Sequence, residues 1–177
     1  MIDEGETGLV VVLTGVSGSG KSTLGKALAD AEGWDFQEGD ALHPQANIDK
    51  MRAGEPLDDA DRAPWLERIA DWIAAELRRR RQGVITCSAL KRVYRERLAR
   101  AGPGLRFVHL AVSRETLQRR LQHREHFMPA SLLDSQLHAL ELPADDANTL
   151  IVHGEESLDA TLAEVKTWIL HQVSGKA

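Results

Sequence analysis

The run Gly15-Val16-Ser17-Gly18-Ser19-Gly20-Lys21-Ser22 fits the pattern G-x-x-x-x-G-K-[ST], a spacing suited to gripping the phosphates of a nucleotide. Glycines let the backbone curl until successive N–H groups converge on a β-phosphate, and the helix that follows adds the positive end of its dipole. The Lys21 ammonium can reach the β- and γ-phosphates, and the Ser22 hydroxyl can ligate Mg²⁺. This chemistry requires a strand before the loop and a helix after it. Leu9-Val10-Val11-Val12-Leu13 reads as a strand buried on both faces, and from Lys21 to about Ala31 the residues Leu24, Ala27, Leu28 and Ala31 share one helical face. The expectation is nucleotide binding, which kinases, ATPases and GTP switches share.

Acids follow a short strand expected near Trp34 to Gln37, in Glu38-Gly39-Asp40. In an extended stretch their i, i+2 spacing sets both side chains on one side. One could hold the hydration shell of Mg²⁺ and the other accept the proton of an attacking hydroxyl. A GTP switch would carry Asn-Lys-x-Asp, whereas Asn47-Ile48-Asp49-Lys50 has another order. A motor ATPase would end a later central strand in a carboxylate, whereas the strand at Val84 ends in Thr86-Cys87-Ser88.

Polar and cationic groups gather around these acids. His43, Asn47, Lys50 and Arg52 lie on or beside a short helix from Pro44 to Ala53, and Ser88, Lys91 and Arg92 follow a strand's carboxyl end, where open α/β sheets bind ligands. They are cationic and hydrogen-bonding groups, suited to a polar ligand in a pocket with few apolar walls. Arg119, Arg120 and Arg124 open a second polar segment, and Arg120 and Arg124, one turn apart, point to one side. Such guanidinium groups on a lid would meet the charge of a transferring phosphoryl group and exclude water.

Strands at Val84 to Cys87, Arg106 to Val112 and Leu150 to Val152 alternate with helical stretches, the rhythm of an α/β domain with a parallel sheet. Pro64 and Pro129 suit first helical turns, Gly83 suits the stop of a helix from Pro64 to Arg81, and Ser113 and Ser157 suit N-caps. Asp58, Asp59 and Asp61 would cap the Pro64 helix. Trp65, Trp72 and Trp168 read as core anchors, Cys87 as an inert buried thiol, and Val152-His153-Gly154 as a border of the adenine. His123, His126, His138 and His153 lack zinc-site spacing.

At 177 residues the chain is expected to form one domain, residues 1–177, with a substrate-binding segment at 38–63 and a lid at 119–142. With 22 Lys+Arg against 27 Asp+Glu, its net charge of −5 gathers neither nucleic acid nor anionic lipid. Apolar runs fall well short of the roughly 18 residues a membrane helix needs. A single cysteine and an acidic N-terminus point to a reducing, cytoplasmic location.

Gly39-Asp40-Ala41-Leu42-His43-Pro44-Gln45-Ala46-Asn47-Ile48-Asp49-Lys50-Met51, then Gly54-Glu55-Pro56-Leu57 and Asp59-Ala60-Asp61-Arg62-Ala63-Pro64-Trp65-Leu66, closely resembles the gluconokinases among small P-loop kinases. Cys87-Ser88-Ala89-Leu90-Lys91-Arg92-Val93-Tyr94-Arg95 resembles the same family, and Arg124 with His126-Phe127-Met128 resembles its lid. The similarity spans about Leu9 to Pro143.

The resemblance implies a three-layer fold like shikimate and adenylate kinases, with a five-stranded parallel sheet, a substrate-binding subdomain and a mobile lid. It implies ATP-dependent phosphorylation of D-gluconate at the 6-hydroxyl, with Mg²⁺, in a homodimer. By the same similarity Lys21, Asp40 and Arg124 are catalytic. Together with the reading of the residues, this leads to the expectation that the nucleotide is held by Gly15, Val16, Ser17, Gly18, Ser19, Gly20, Lys21, Ser22, Thr23 and Arg120, with Asp40 and His43 on the acceptor's hydroxyls, Arg52 and Ser88 as further acceptor contacts, Lys91 on its carboxylate or on a phosphate, and Ser22 and Glu38 on the metal. Some family members carry Asp where this chain has Glu38, whose extra methylene leaves direct and water-mediated contact with the metal both open. A kinase for shikimate or a nucleotide, and a regulatory module without turnover, are the alternatives; Lys21, Ser22 and Asp40 argue against the last.

Overall fold

The computed structural model describes residues 8–123, 131–144 and 146–174. Five parallel strands, β1 (Leu9–Thr14), β2 (Asp35–Gln37), β3 (Gln82–Thr86), β4 (Leu105–Ala111) and β5 (Thr149–His153), form one sheet in the order β2-β3-β1-β4-β5. All six residues of β1 are buried, as a central strand covered on both faces must be.

The side-chain period of two divides β1 between two cores. Val10 and Val12 join Ile85 and Phe107 beneath helices α3 (Asp59–Arg78) and α4 (Arg92–Ala99). Val11 and Leu13 join Val84 and Val108 beneath α1 (Lys21–Glu32) and α7 (Leu158–Ser174). Each helix contributes residues three or four apart, such as Trp65, Ile69 and Ile73 of α3, and each buried side chain of this kind stabilises the fold by roughly 1.5–3 kcal/mol. The result is the three-layer α/β fold with a five-stranded parallel sheet. A smaller cluster of Val16, Leu90, Leu117 and Leu133 brings α5 (Arg114–Gln122) and α6 (Ser131–Ala139) against the loops at the sheet's carboxyl edge.

Local signals set most boundaries. Ser113 caps α5 by accepting from the Thr116 amide, and the Ser157 hydroxyl accepts from Ala160 N at the start of α7. The helix expected to begin at Pro64 begins instead at Asp59. Asp58 and Asp61 form a reciprocal capping box, Asp61 N donating to Asp58 Oδ1 at 2.7 Å and Asp58 N to Asp61 Oδ2 at 3.0 Å. Pro64 lies inside the helix, which forgoes one backbone hydrogen bond while burying Trp65 and Leu66 beside it. Nor does Gly83 stop that helix. It ends at Arg78, the chain turns through Arg80 at φ 55°, and Gly83 lies within β3 against the Trp72 ring. Pro129 lies outside the described residues.

Loops after β1, β2 and β3 emerge side by side because these strands are neighbours in the sheet. They carry the glycine-rich run, the Glu38–Asp40 acids and Ser88. A 3₁₀ turn at Gly39–Leu42 and helix α2 (Gln45–Arg52) continue from β2 and roof this edge.

Candidate active site

The glycine-rich run adopts the inward-curled form that phosphate binding needs. Gly15, Gly18 and Gly20 have φ of 142°, 85° and 102°. At Gly15 any Cβ would also come 2.7 Å from Ser19 Oγ and 3.0 Å from the Leu110 carbonyl. Gly20 occupies the N-cap of α1 without a side chain to cap the first turn, so the helix presents its positive end to an anion. Lys21 Nζ donates to the carbonyls of Gly15 at 2.9 Å and Val16 at 3.0 Å, which holds the ammonium over the loop. Ser22 and Thr23 follow on that first turn, and Thr23 lines a cavity of about 310 Å³ with Ser19, Gly20, Arg120, Gly154 and Leu158. That volume is in the range of small-molecule sites, and its position beside the phosphate loop suits a nucleoside.

Arg120 stands in the wall of that cavity. Its guanidinium donates to the carbonyls of Gly18 at 3.1 Å, Ser19 at 3.2 Å and Gly154 at 2.6 Å, so it ties the phosphate loop to the segment after β5. Gly154, expected beside the adenine, lines the same cavity. Arg119 is exposed and turns to Thr116. Arg124, with His126, Phe127 and Met128, lies outside the described residues.

A second cleft opens beside Lys21, lined by Ser17, Asp40, His43, Arg62 and Ser88 with α6 closing one side. Asp40 is brought there by a close approach of backbones. Gly39 N donates to Thr86 Oγ1 at 3.0 Å, and a Cβ on Gly39 would fall 1.8 Å from the Thr86 carbonyl oxygen, so only glycine lets the 3₁₀ turn sit on β3. The Gly39 carbonyl accepts from Trp65 Nε1 at 2.8 Å. Water reaches 65% of the Asp40 side chain through the mouth of the cleft. Even so, the protein crowding around it raises the carboxyl above its ordinary 3.8, with Lys21 opposing and Glu38 reinforcing the shift.

His43 stacks on Trp65, ring centroids 4.2 Å apart and planes 13° from parallel. Asn47 donates from its amide nitrogen to the Asp61 carbonyl at 2.8 Å and to His43 Nδ1 at 3.1 Å. Nδ1 is therefore the acceptor and the ring proton resides on Nε2, 3.9 Å from Asp40 Oδ1. Burial first, and the Arg62 charge second, lower the imidazole to about 4, so it is a neutral donor at pH 7.

Glu38 is half-buried and accepts a short hydrogen bond from the Thr86 hydroxyl. Glu38 and Ser22 together offer oxygen donors only, one carboxylate and one hydroxyl. That donor set fits Mg²⁺, which takes one or two protein oxygens and keeps waters.

The structure parts two predicted acceptor residues from this cleft. Arg52 follows the buried Asn47 and Met51 of α2, and at 100° per residue its side chain lies on the exposed side. Lys91, at the N-cap of α4, pairs with Asp59 at 2.9 Å and does not line the cleft. The cleft is also more apolar than expected, with walls from Met51, Pro56, Leu57, Trp65, Leu90 and Leu132. Arg62 and Gln136 are among the polar lining residues that were not anticipated, with Glu55 and Ser135. Arg62, on the inner side of the first turns of α3, stands within the quoted Asp61-Arg62-Ala63-Pro64-Trp65 block. Gln136, on α6, accepts from the Ser17 amide at 2.8 Å across 119 residues of chain, a contact without local signal.

The carboxylate that faces the phosphate-loop lysine comes from the loop after β2 and opens on a closed-walled cleft. This is the layout of a P-loop kinase that hands a phosphoryl group to a small molecule. A family model described as an AAA domain matches residues 10–143. A gluconokinase of Gluconobacter oxydans is 53% identical over 156 residues, 88% of either chain. The crystal structure of a gluconokinase from Sinorhizobium meliloti 1021 is 44% identical, with a TM-score of 0.85 over 94% of either chain. Shikimate kinase from Bacteroides thetaiotaomicron, at 21% identity and a TM-score of 0.65 over 92% of this chain and 98% of that one, shares the fold. The chain belongs to the gluconokinase family, and it is a kinase.

Proposed function

We propose that the chain transfers the γ-phosphoryl group of ATP to the 6-hydroxyl of D-gluconate, giving 6-phosphogluconate and ADP. The observation that carries this reading is the single cleft that joins Lys21, Asp40, His43 and Arg62, in a chain of this family. The acceptor oxygen forms a bond to the γ-phosphorus, the bond from that phosphorus to the ADP oxygen breaks, and the hydroxyl proton passes to Asp40. A carboxylate raised above its ordinary pKa is, in its ionised form, a better proton acceptor than a free one. His43 Nε2–H donates to an acceptor hydroxyl, Ser88 offers a second polar contact, and Lys21 offsets charge developing on the phosphoryl oxygens.

Arg62 is the cation suited to the acceptor's carboxylate, by a two-pronged contact. Lys91 and Arg52 act from outside the cleft, as charges that draw an anionic acceptor. Ser22 and Glu38 would hold Mg²⁺, which when bound neutralises phosphate charge. Residues 38–63 form the acceptor-binding segment and 119–142 the lid of a single domain. The first segment supplies Asp40, His43 and Arg62 to the cleft and the second supplies Leu132, Ser135 and Gln136.

Homodimeric assembly and a cytoplasmic location accompany this reading. The first rests on the family resemblance. The second rests on the single cysteine, Cys87, which leaves no intramolecular disulfide for an oxidising compartment to form.

The test is ADP release from Mg-ATP with D-gluconate, shikimate, a nucleoside monophosphate or no acceptor. Turnover confined to D-gluconate is expected. Turnover with another acceptor, or none above the no-acceptor rate, would overturn the assignment.

A further inference from the structure

Besides Lys21, the described lining of the acceptor cleft holds one arginine or lysine, Arg62. Among the described residues Arg62 makes no ion pair, and its side chain donates one hydrogen bond, from Nη1 to the Tyr94 hydroxyl at 3.2 Å. A guanidinium can only donate, so the Tyr94 proton must point elsewhere, and it does, in a short hydrogen bond to Asp59 Oδ1. Lys91 Nζ closes on the same oxygen at 2.9 Å. Both Arg62 and Lys91 lie 5.7 Å from the centre of the Tyr94 ring, and that residue is only 5% exposed.

The order of these contacts matters. Asp59 places its hydrogen bonds on Lys91 and on the Tyr94 proton, forms no salt bridge with Arg62, and acts on that guanidinium only through space and through a neutral hydroxyl. A carboxylate in direct contact would also fix the guanidinium, but it would cancel the charge that a ligand has to meet. Tyr94 instead aims the group and leaves its charge for the cleft.

We infer that Tyr94, anchored by Asp59 and Lys91, is a positioning residue that orients Arg62 toward the carboxylate of an aldonate acceptor, an inference that rests on the gluconate reading above. Lys91 then contributes to acceptor binding through Asp59 and Tyr94, without touching the acceptor.

Tyr94→Phe removes one oxygen and keeps the ring. It is expected to raise KM for D-gluconate about three- to tenfold while kcat and KM for ATP change less than about twofold, since one hydrogen bond to a charged group is at stake. Arg62→Gln is expected to raise the same KM by about a hundredfold. The double variant should be no worse than Arg62→Gln alone, because Tyr94 acts through Arg62. D-glucitol, which has the hydroxyl chain without the carboxylate, should be used equally poorly by the unaltered chain and by Tyr94→Phe.

A raised KM in Arg62→Gln with no change in Tyr94→Phe would overturn the inference alone. Additive losses in the double variant, with a lowered melting temperature, would reduce Tyr94 to packing and overturn it as well. An unchanged KM in Arg62→Gln would remove the carboxylate contact and the inference with it, and absence of gluconate turnover in the unaltered chain would overturn the reading beneath both. If Tyr94→Phe folds poorly, Asp59→Asn replaces it, with KM expected to rise about twofold or more at unchanged kcat; an unchanged KM there overturns the inference.

Discussion

Gly39→Ala is the smallest change that should separate Asp40, the proposed proton acceptor, from the phosphate loop. A Cβ at residue 39 would stand 1.8 Å from the Thr86 carbonyl oxygen, where contacts below 3.0 Å are essentially never found, so the 3₁₀ turn must back away by about 1.2 Å. Three hydrogen bonds cross this junction: Gly39 N to Thr86 Oγ1, Trp65 Nε1 to the Gly39 carbonyl, and Thr86 Oγ1 to Glu38. Losing one or two at about 1 kcal/mol each, with an overpacking cost of about 1–3 kcal/mol, lowers stability by roughly 2–5 kcal/mol. The same displacement carries Asp40 about 1 Å from its place beside the acceptor, enough to cost about 100-fold in turnover. Urea melts give the first quantity, and kcat for ADP release at saturating D-gluconate and Mg-ATP gives the second, measured well below the variant's melting temperature. A variant that keeps both its urea midpoint and kcat within about twofold of the unaltered chain would refute the close approach as the reason for glycine at this position.

Asp40→Asn should lower kcat by about 100-fold or more while the dissociation constant for ATP stays within a few fold, as isothermal titration will show; a collapse of ATP affinity would assign the acid to the metal instead. The pH profile of kcat/KM for the acceptor should fall on the acid side through a pKa above 3.8, because Asp40 must be ionised to accept a proton, and Asp40→Asn should abolish that limb. His43 and His109, both buried and lowered from 6.5 to about 4, bind fewer protons folded than unfolded between those values. Each should therefore subtract about 1.4 kcal/mol of stability per pH unit as pH falls from 6.5 toward 4, and a flat urea midpoint between pH 5 and 6.5 would contradict their burial as neutral rings.

What could be read from the chain without a structure was what lies close together along it. The phosphate loop is eight consecutive residues whose backbone geometry follows from where its glycines stand, and its strand and helix are its immediate neighbours. Runs such as Leu9 to Leu13 announced a doubly covered strand because every residue in them is apolar. Pro64 suits a first turn, yet the Asp58–Asp61 capping box, whose cap stands six residues upstream, binds two orphan amides and sets the start itself. The charges of Arg52 and Lys91 suit an anionic acceptor, yet position on a helix decides direction: Arg52 sits one residue past the buried face of α2, and Lys91 meets an aspartate 32 residues away. Arg62, Tyr94 and Gln136 act through partners 32 to 119 residues distant, pairings that no local spacing encodes.

The strand order has a consequence for how the chain acquires its shape. β1 lies between β3 and β4, so Leu9 waits for Gln82 and Val10 for Leu105 before either edge is paired. On a ribosome adding about 5–20 residues per second, that interval lasts roughly 4–20 s, during which six apolar or weakly polar residues in β-prone sequence have no partner. The phosphate cradle hangs from the end of this strand and cannot be fixed until the gap closes. The phosphate loop is thus secured only once β4 has been made, and the nascent chain offers a holdase an adhesive segment first.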